Sequence, residues 1–348
     1  MDRRHFLKTT VAAGTLTAAG SYRAFAADRP LTFVSWGGAL SDMETEAICD
    51  PFAAQTGQKV ISTSPTEYAK IKAMVQSGNV DWDVVTVGGR FAYDGADEGL
   101  LEKIDYDRVS NAAALEDNFK GPYGVATSLG ATVIAWNTDA VEEAPESWAD
   151  FWDVKRRPGA RGLYKPIYYN YEAALRAAGM TEAEMYPVTD EKIDIMFGKM
   201  EEIKPDVSVW WSSGAQPPQL LSSGELAMSS AWDGRIKALQ GENAPVDFTF
   251  ADGIAWGNVV VVPKGTPMKD AAMDLINYAV GPEAQTAIAQ SGAYAPVLSS
   301  AAEAAPADMR AGFASAPENL KRMVLLNEEQ AALYVNKYQE RWQEFQLG

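Results

Sequence analysis

Residues 210–235, WWSSGAQPPQLLSSGELAMSSAWDGR, carry the side chains best suited to grip a small organic cation. Residues 226–231 read as a short apolar strand that delivers Trp232, Asp233 and Gly234 at its C-terminal end. Open α/β sheets place ligands at such ends. An indole beside a carboxylate suits an ammonium group, because the ring face attracts the cation and the acid pairs with it. The competing reading makes Trp232 a core residue and Asp233 the cap of a helix starting at Gly234-Arg235. Local pattern leaves both open. Residues 214–219 read as a Gly/Pro-rich turn, whose prolines exclude regular strand pairing.

The elements that must position these residues follow a β-α-β-α-β order. Strands are expected at 31–35, 59–63 and 83–87, with helices at 41–52 and 68–77 between them. That order implies a mainly parallel sheet with helices on both faces. Its strands end in Trp36-Gly37-Gly38 and in Gly88-Gly89-Arg90, where glycine lets backbone amides approach a ligand. Residues 130–137 read as a buried strand crossing to a second domain, and 256–263 as one crossing back. Residues 147–153 form an aromatic helix, 169–200 an interrupted helical stretch, and 317–348 a helical end with no functional signal of its own.

Composition narrows the chemistry. At 348 residues the chain is long enough for two domains, and its 47% hydrophobic and 22% charged content is that of a globular protein. Arg3-Arg4-His5-Phe6-Leu7-Lys8, a mildly apolar run and Ala24-Phe25-Ala26 form a twin-arginine export signal over 1–26, with the mature chain starting at Ala27. The net charge of −17, more negative once that basic segment is removed, repels nucleic acid. The single histidine, His5, lies in the signal, so the mature chain has no Ser-His-Asp chemistry and no histidine metal site. Cys49 is alone and can form no intrachain disulfide.

Several blocks in order resemble the periplasmic substrate-binding proteins of ABC transporters, in their spermidine/putrescine-binding group. They are Trp36-Gly37-Gly38, Gly78-Asn79-Val80-Asp81-Trp82-Asp83 with Glu98-Gly99-Leu100-Leu101, residues 147–153, residues 214–219, Ser223-Gly224-Glu225 with Trp232-Asp233-Gly234, and residues 258–264. The resemblance covers nearly the whole mature chain. It implies an α/β fold of the two-lobed periplasmic binding protein type II, with a ligand cleft between lobes joined by crossing strands. Lobe 1 is then expected over 27–135 plus 259–303, and lobe 2 over 136–258 plus 304–348. It also implies an aromatic box walled by Trp36, Trp232 and Trp256, with Asp233 as its acid and Glu172 as a candidate acid of the second lobe.

Three departures from the polyamine pattern stand out. Asn258 stands where the family has an acid, Gly88 and Gly89 where it has small or hydroxyl residues, and Arg90 where it has a ring. A cleft arginine would oppose a diamine but could grip a carboxylate, whereas an Arg90 on the surface would pair with Asp94 or face solvent. The expected function is a periplasmic receptor that delivers a small amine to an inner-membrane ABC permease. An ω-amino acid such as 4-aminobutyrate is favoured over putrescine or spermidine. A monomer without cofactor is expected. The alternatives are a ferric-ion receptor using Tyr168-Tyr169 and, from a different class, an enzyme working without histidine.

Overall fold

The computed structural model describes residues 29–292 and 294–348. The export signal expected over 1–26, with its twin arginines and His5, lies outside the described residues. Ten strands follow in order: β1 Leu31–Val34, β2 Val60–Thr63, β3 Val84–Gly88, β4 Gly124–Asn137, β5 Arg161–Tyr164, β6 Val207–Trp211, β7 Met228–Trp232, β8 Val246–Val261, β9 Ala295–Pro296 and β10 Val324–Leu325. They form one sheet ordered β2-β1-β3-β8-β4-β7-β5-β6, with β10 on β8 and β9 on β4. β1 runs parallel to β2 and β3, and β5 runs parallel to β6 and β7. Two parallel halves are thus joined by the antiparallel pair β4–β8.

Those two strands cross between separate cores. One core gathers Leu31, Phe33, Val84, Val260 and Ile276; the other gathers Trp148, Phe151, Leu163, Tyr171 and Trp342. Both crossing strands are longer than their sequence pattern suggested, at 14 residues for β4 and 16 for β8. β8 begins ten residues before Trp256 and runs through Asp252-Gly253. Asp252 adopts a left-handed backbone, φ 56°, and its environment supports that conformation. Its carboxylate accepts from the Trp148 N–H at 3.3 Å and from the Arg176 guanidinium, and its carbonyl takes Trp148 Nε1–H at 2.9 Å.

Two further differences have simple causes. The 214–219 segment is not an irregular turn: a helix, Gln216–Ser222, begins there with Pro217 and Pro218 in its first turn. Proline is tolerated at that position because the first-turn N–H groups have no intrahelical acceptor. At the other end of the chain, Phe313, Ala314, Ala316 and Met323 pack in the first core, while Leu326 and the helix Glu328–Leu347 pack in the second. The chain therefore passes between the lobes a third time, through β10.

Removing the Asp252 carboxylate by Asp252→Ala strands the Arg176 charge and the buried Trp148 N–H. A stability loss of about 2–3 kcal/mol is expected in urea unfolding. A variant as stable as wild type would show that the carboxylate does not support this bend.

Candidate functional site

The first lobe contributes a short aromatic wall. After β1 the chain turns through Trp36, Gly37 and Gly38, the glycines at φ 94° and 62°, leaving the Trp36 indole 41% exposed. Trp36 meets Tyr68 edge-on, with centroids 5.9 Å apart, and Tyr68 stacks on Phe91 at 4.1 Å. Tyr68 is fixed by its hydroxyl, which accepts the Gly88 N–H at 3.2 Å. Beneath this wall Glu44 is fully buried, taking hydrogen bonds from Ser35 Oγ and from Thr86 Oγ1 at 2.8 Å. Burial outweighs those bonds and pushes its pKa up to about 7.

Opposite stands a larger wall built from the strand ends of the second lobe. Trp232 at the end of β7 packs against Trp211 at the end of β6 (5.6 Å), Tyr164 at the end of β5 (6.1 Å) and Trp256 on β8 (6.3 Å). Tyr169 joins Tyr164 at 5.8 Å and Trp256 at 6.3 Å, and Tyr168 lies 4.2 Å from Tyr169. Trp256 Nε1 donates to Thr132 Oγ1 at 3.2 Å. The Trp232 indole N–H is buried and has no acceptor. Gly214 lies so close under the Trp232 ring that a Cβ there would come within 2.4 Å of it, so the indole requires glycine at 214. Tyr169 itself holds φ 70°, a strained conformation for a ring-bearing residue and one that clusters at binding sites. The two sides meet at Glu328, which takes the Tyr168 hydroxyl of the second wall and packs against Gly89 of the first lobe.

The charged candidates are placed less simply. Asp233 is 4% exposed; it accepts the Ala131 N–H at 3.0 Å and pairs with Lys237 at 2.9 Å. Arg90 pairs with Asp94 at 2.7 Å and reaches Asn336 at 3.4 Å, the surface arrangement left open by the sequence. Asn258 is buried, opposite Gly88 across the β3–β8 ladder, and donates to Ser128 Oγ at 3.1 Å. Glu172 is fully buried behind the second wall and accepts from Tyr186 at 2.8 Å and Tyr334 at 3.2 Å; burial raises it to about 7. The structure therefore brings Trp232 and Trp256 together directly. It sets Trp36 on the other wall and leaves Glu172 a layer further back.

The sequence reading missed Tyr68, Phe91, Tyr164, Trp211 and Glu328. The helix Glu328–Leu347 was expected to carry no functional signal, but its first residue reaches the site. Glu328 takes the Tyr168 hydroxyl on Oε2, whereas its Oε1 is buried, unpaired and pressed against Gly89. A Cβ at Gly89 would lie 2.3 Å from that oxygen, so the missing side chain admits the carboxylate. Nothing local separates Glu328 from an ordinary first-turn helix acid. Burial, with the Glu328 carboxyl nearby, drives Tyr168 and Tyr169 far above their usual pKa. Among the described residues no cluster of His, Cys, Asp and Glu could hold a metal.

Two α/β lobes sharing crossing strands, with a cleft lined by aromatic rings from both, define a two-lobed solute receptor. The family of bacterial extracellular solute-binding proteins matches residues 47–318, and the chain belongs to that family, whose members are receptors rather than enzymes. A gamma-aminobutyric acid-binding protein of Pseudomonas aeruginosa is 36% identical over 299 residues, 85% of each chain. A spermidine/putrescine-binding periplasmic protein of Escherichia coli is 26% identical over 306 residues, 84% of this chain and 83% of that one. The solved structure of the Atu4243 GABA receptor has a TM-score of 0.81 at 36% identity, covering 91% of this chain and 98% of that one.

The buried acid Glu44 makes stability depend on pH. Its pKa is about 7 folded and 4.5 in the ordinary state, so the folded protein binds the extra proton between those values. Stability is therefore fully present below about pH 4.5 and declines as pH rises through 7. Relative to Glu44→Gln, the wild type should lose up to roughly 3 kcal/mol between about pH 5 and pH 8 in thermal or urea unfolding. A constant difference between the two proteins over that range would refute the assignment.

Proposed function

We propose that the chain is the periplasmic receptor of an ABC importer for a small zwitterionic amine, an ω-amino acid such as 4-aminobutyrate. It works as a monomer and hands its solute to an inner-membrane permease. The observation that carries this reading is a pair of buried polar atoms without partners, one in the ring of the second wall and one against Gly89. Trp232 Nε1 is a buried donor without acceptor, and Glu328 Oε1 a buried acceptor without donor. A zwitterion completes both: its carboxylate accepts from the indole and its ammonium donates to the glutamate. The rings of Trp36, Tyr68, Trp232 and Trp256 supply apolar surface and cation–π attraction for the methylene and ammonium parts. Asn258 removes an acid that a second ammonium would use. The 36%-identical relative named for gamma-aminobutyric acid supports the same class.

A diamine is the second reading. Arg90 is occupied by Asp94, Asp233 lies next to Trp232, and relatives at 26% identity are named for spermidine and putrescine. Calorimetric titration of the purified protein with 4-aminobutyrate and putrescine separates the two. The zwitterion should bind more tightly, and Trp232→Ala should cost about 2 kcal/mol or ~30-fold. Tighter binding of putrescine by the wild type would sink the zwitterion reading.

Export of the folded chain by the twin-arginine route is part of the same proposal. Changing Arg3 and Arg4 together to Lys should hold the protein in the cytoplasm on cell fractionation. Normal periplasmic accumulation of that variant would point to the general secretory route.

A further inference from the structure

Glu328 is an unusual first-turn acid. Asn327 caps the helix, its side chain accepting the Gln330 N–H at 3.0 Å, and an acid in the following turn ordinarily faces water. Here the side chain packs against Gly89, and Oε1 is buried without a partner. A cavity of about 30 Å³ adjoins it, lined also by Ala92, Tyr93, Gly124 and Val259, which is room for a group the size of a water molecule.

The groups facing Glu328 supply little positive charge. From the first lobe these are Tyr68, Arg90 and Tyr93, with Lys120 across the cavity; from the second they are Tyr168, Tyr169 and Glu172. Glu329 follows it on the same helix. Arg90 is paired with Asp94, and Lys120 with Asp117 and the Leu115 carbonyl. No cation among the described residues forms an ion pair with Glu328. Burial and the neighbouring Glu172 carboxyl therefore favour its neutral form, and its pKa is raised to about 8.

We propose that solute capture is coupled to proton release at Glu328. The neutral carboxylic acid gives its proton to bulk water, and the resulting carboxylate receives the ligand's ammonium as an ion pair. This rests on the amine-receptor reading above and adds to it a dependence of affinity on pH. The ammonium is the cation that the site lacks when empty. Its arrival favours the ionised carboxylate, and by linkage a rise in pH favours its arrival.

The test is calorimetric titration of the purified protein with 4-aminobutyrate and with putrescine between about pH 6 and pH 8, in phosphate and in Tris. The ligands' own groups stay ionised throughout, amines titrating near ~10 and the carboxylate near ~4. Affinity should rise by up to about tenfold per pH unit, and the apparent heat should differ between buffers by the ionisation of the released proton. Glu328→Gln should bind more weakly with an affinity flat in pH, whereas Glu172→Gln should keep the slope. The wild-type slope needs no variant to fold. A pH-independent affinity in the wild type, or a slope that survives in Glu328→Gln, overturns proton coupling while leaving the amine receptor standing. Absence of binding by either amine at any pH removes both readings together.

Discussion

The antiparallel pairing of β4 with β8 is the constraint on which the rest of the structure depends. All 14 residues of β4 are buried, so its backbone groups must find partners within the sheet. The ladder shifts register twice, between Ala126 and Ser128 and between Thr132 and Ile134. Between those shifts lie Gly130 opposite Trp256 and Ser128 opposite Asn258. The cleft residues of β8 thus sit on the segment that both lobes share. Bulged, register-shifted pairing bends and twists a sheet locally, which suits a place where two bodies meet. β10, laid on β8 beside them, adds the third passage of the chain between lobes.

Around that junction the electrostatics follow from the rings. Aromatic side chains exclude water, and exclusion makes each remaining polar atom expensive unless it is paired. Asp233 meets that demand with the Ala131 N–H and Lys237, and Asn258 with Ser128. Glu172 meets it with two tyrosines, at the cost of an acid that holds its proton near neutrality. Trp232 Nε1 and Glu328 Oε1 do not meet it.

Much of the fold was legible in the sequence because the alternation of strand and helix is a local property. Residues 31–88 show apolar, β-rich runs separated by helical stretches, and the parallel first lobe follows from that order. Motif order identified the family, and the resemblance implied an aromatic box of Trp36, Trp232 and Trp256. The motif order is read from residue type and spacing. Glycine at 88 and 89 was read as room for a ligand to approach the backbone; at 89 it is the Glu328 carboxylate that packs there.

Only the tertiary structure decided which charges face the cleft. Whether Arg90 turns inward depends on Asp94 and Asn336, the latter 246 residues away in the chain. Whether Glu328 is a solvated cap or a sealed acceptor depends on Gly89 and Tyr168, on segments brought together by the β4–β8 crossing. The passage of residues 313–323 into the first core was equally hidden, since an apolar residue does not encode which of two cores it joins. Secondary structure is set by neighbours in sequence, whereas burial and pairing of a charge are set by neighbours in space. That is why the class of protein could be read from the chain and the chemistry of its cleft could not.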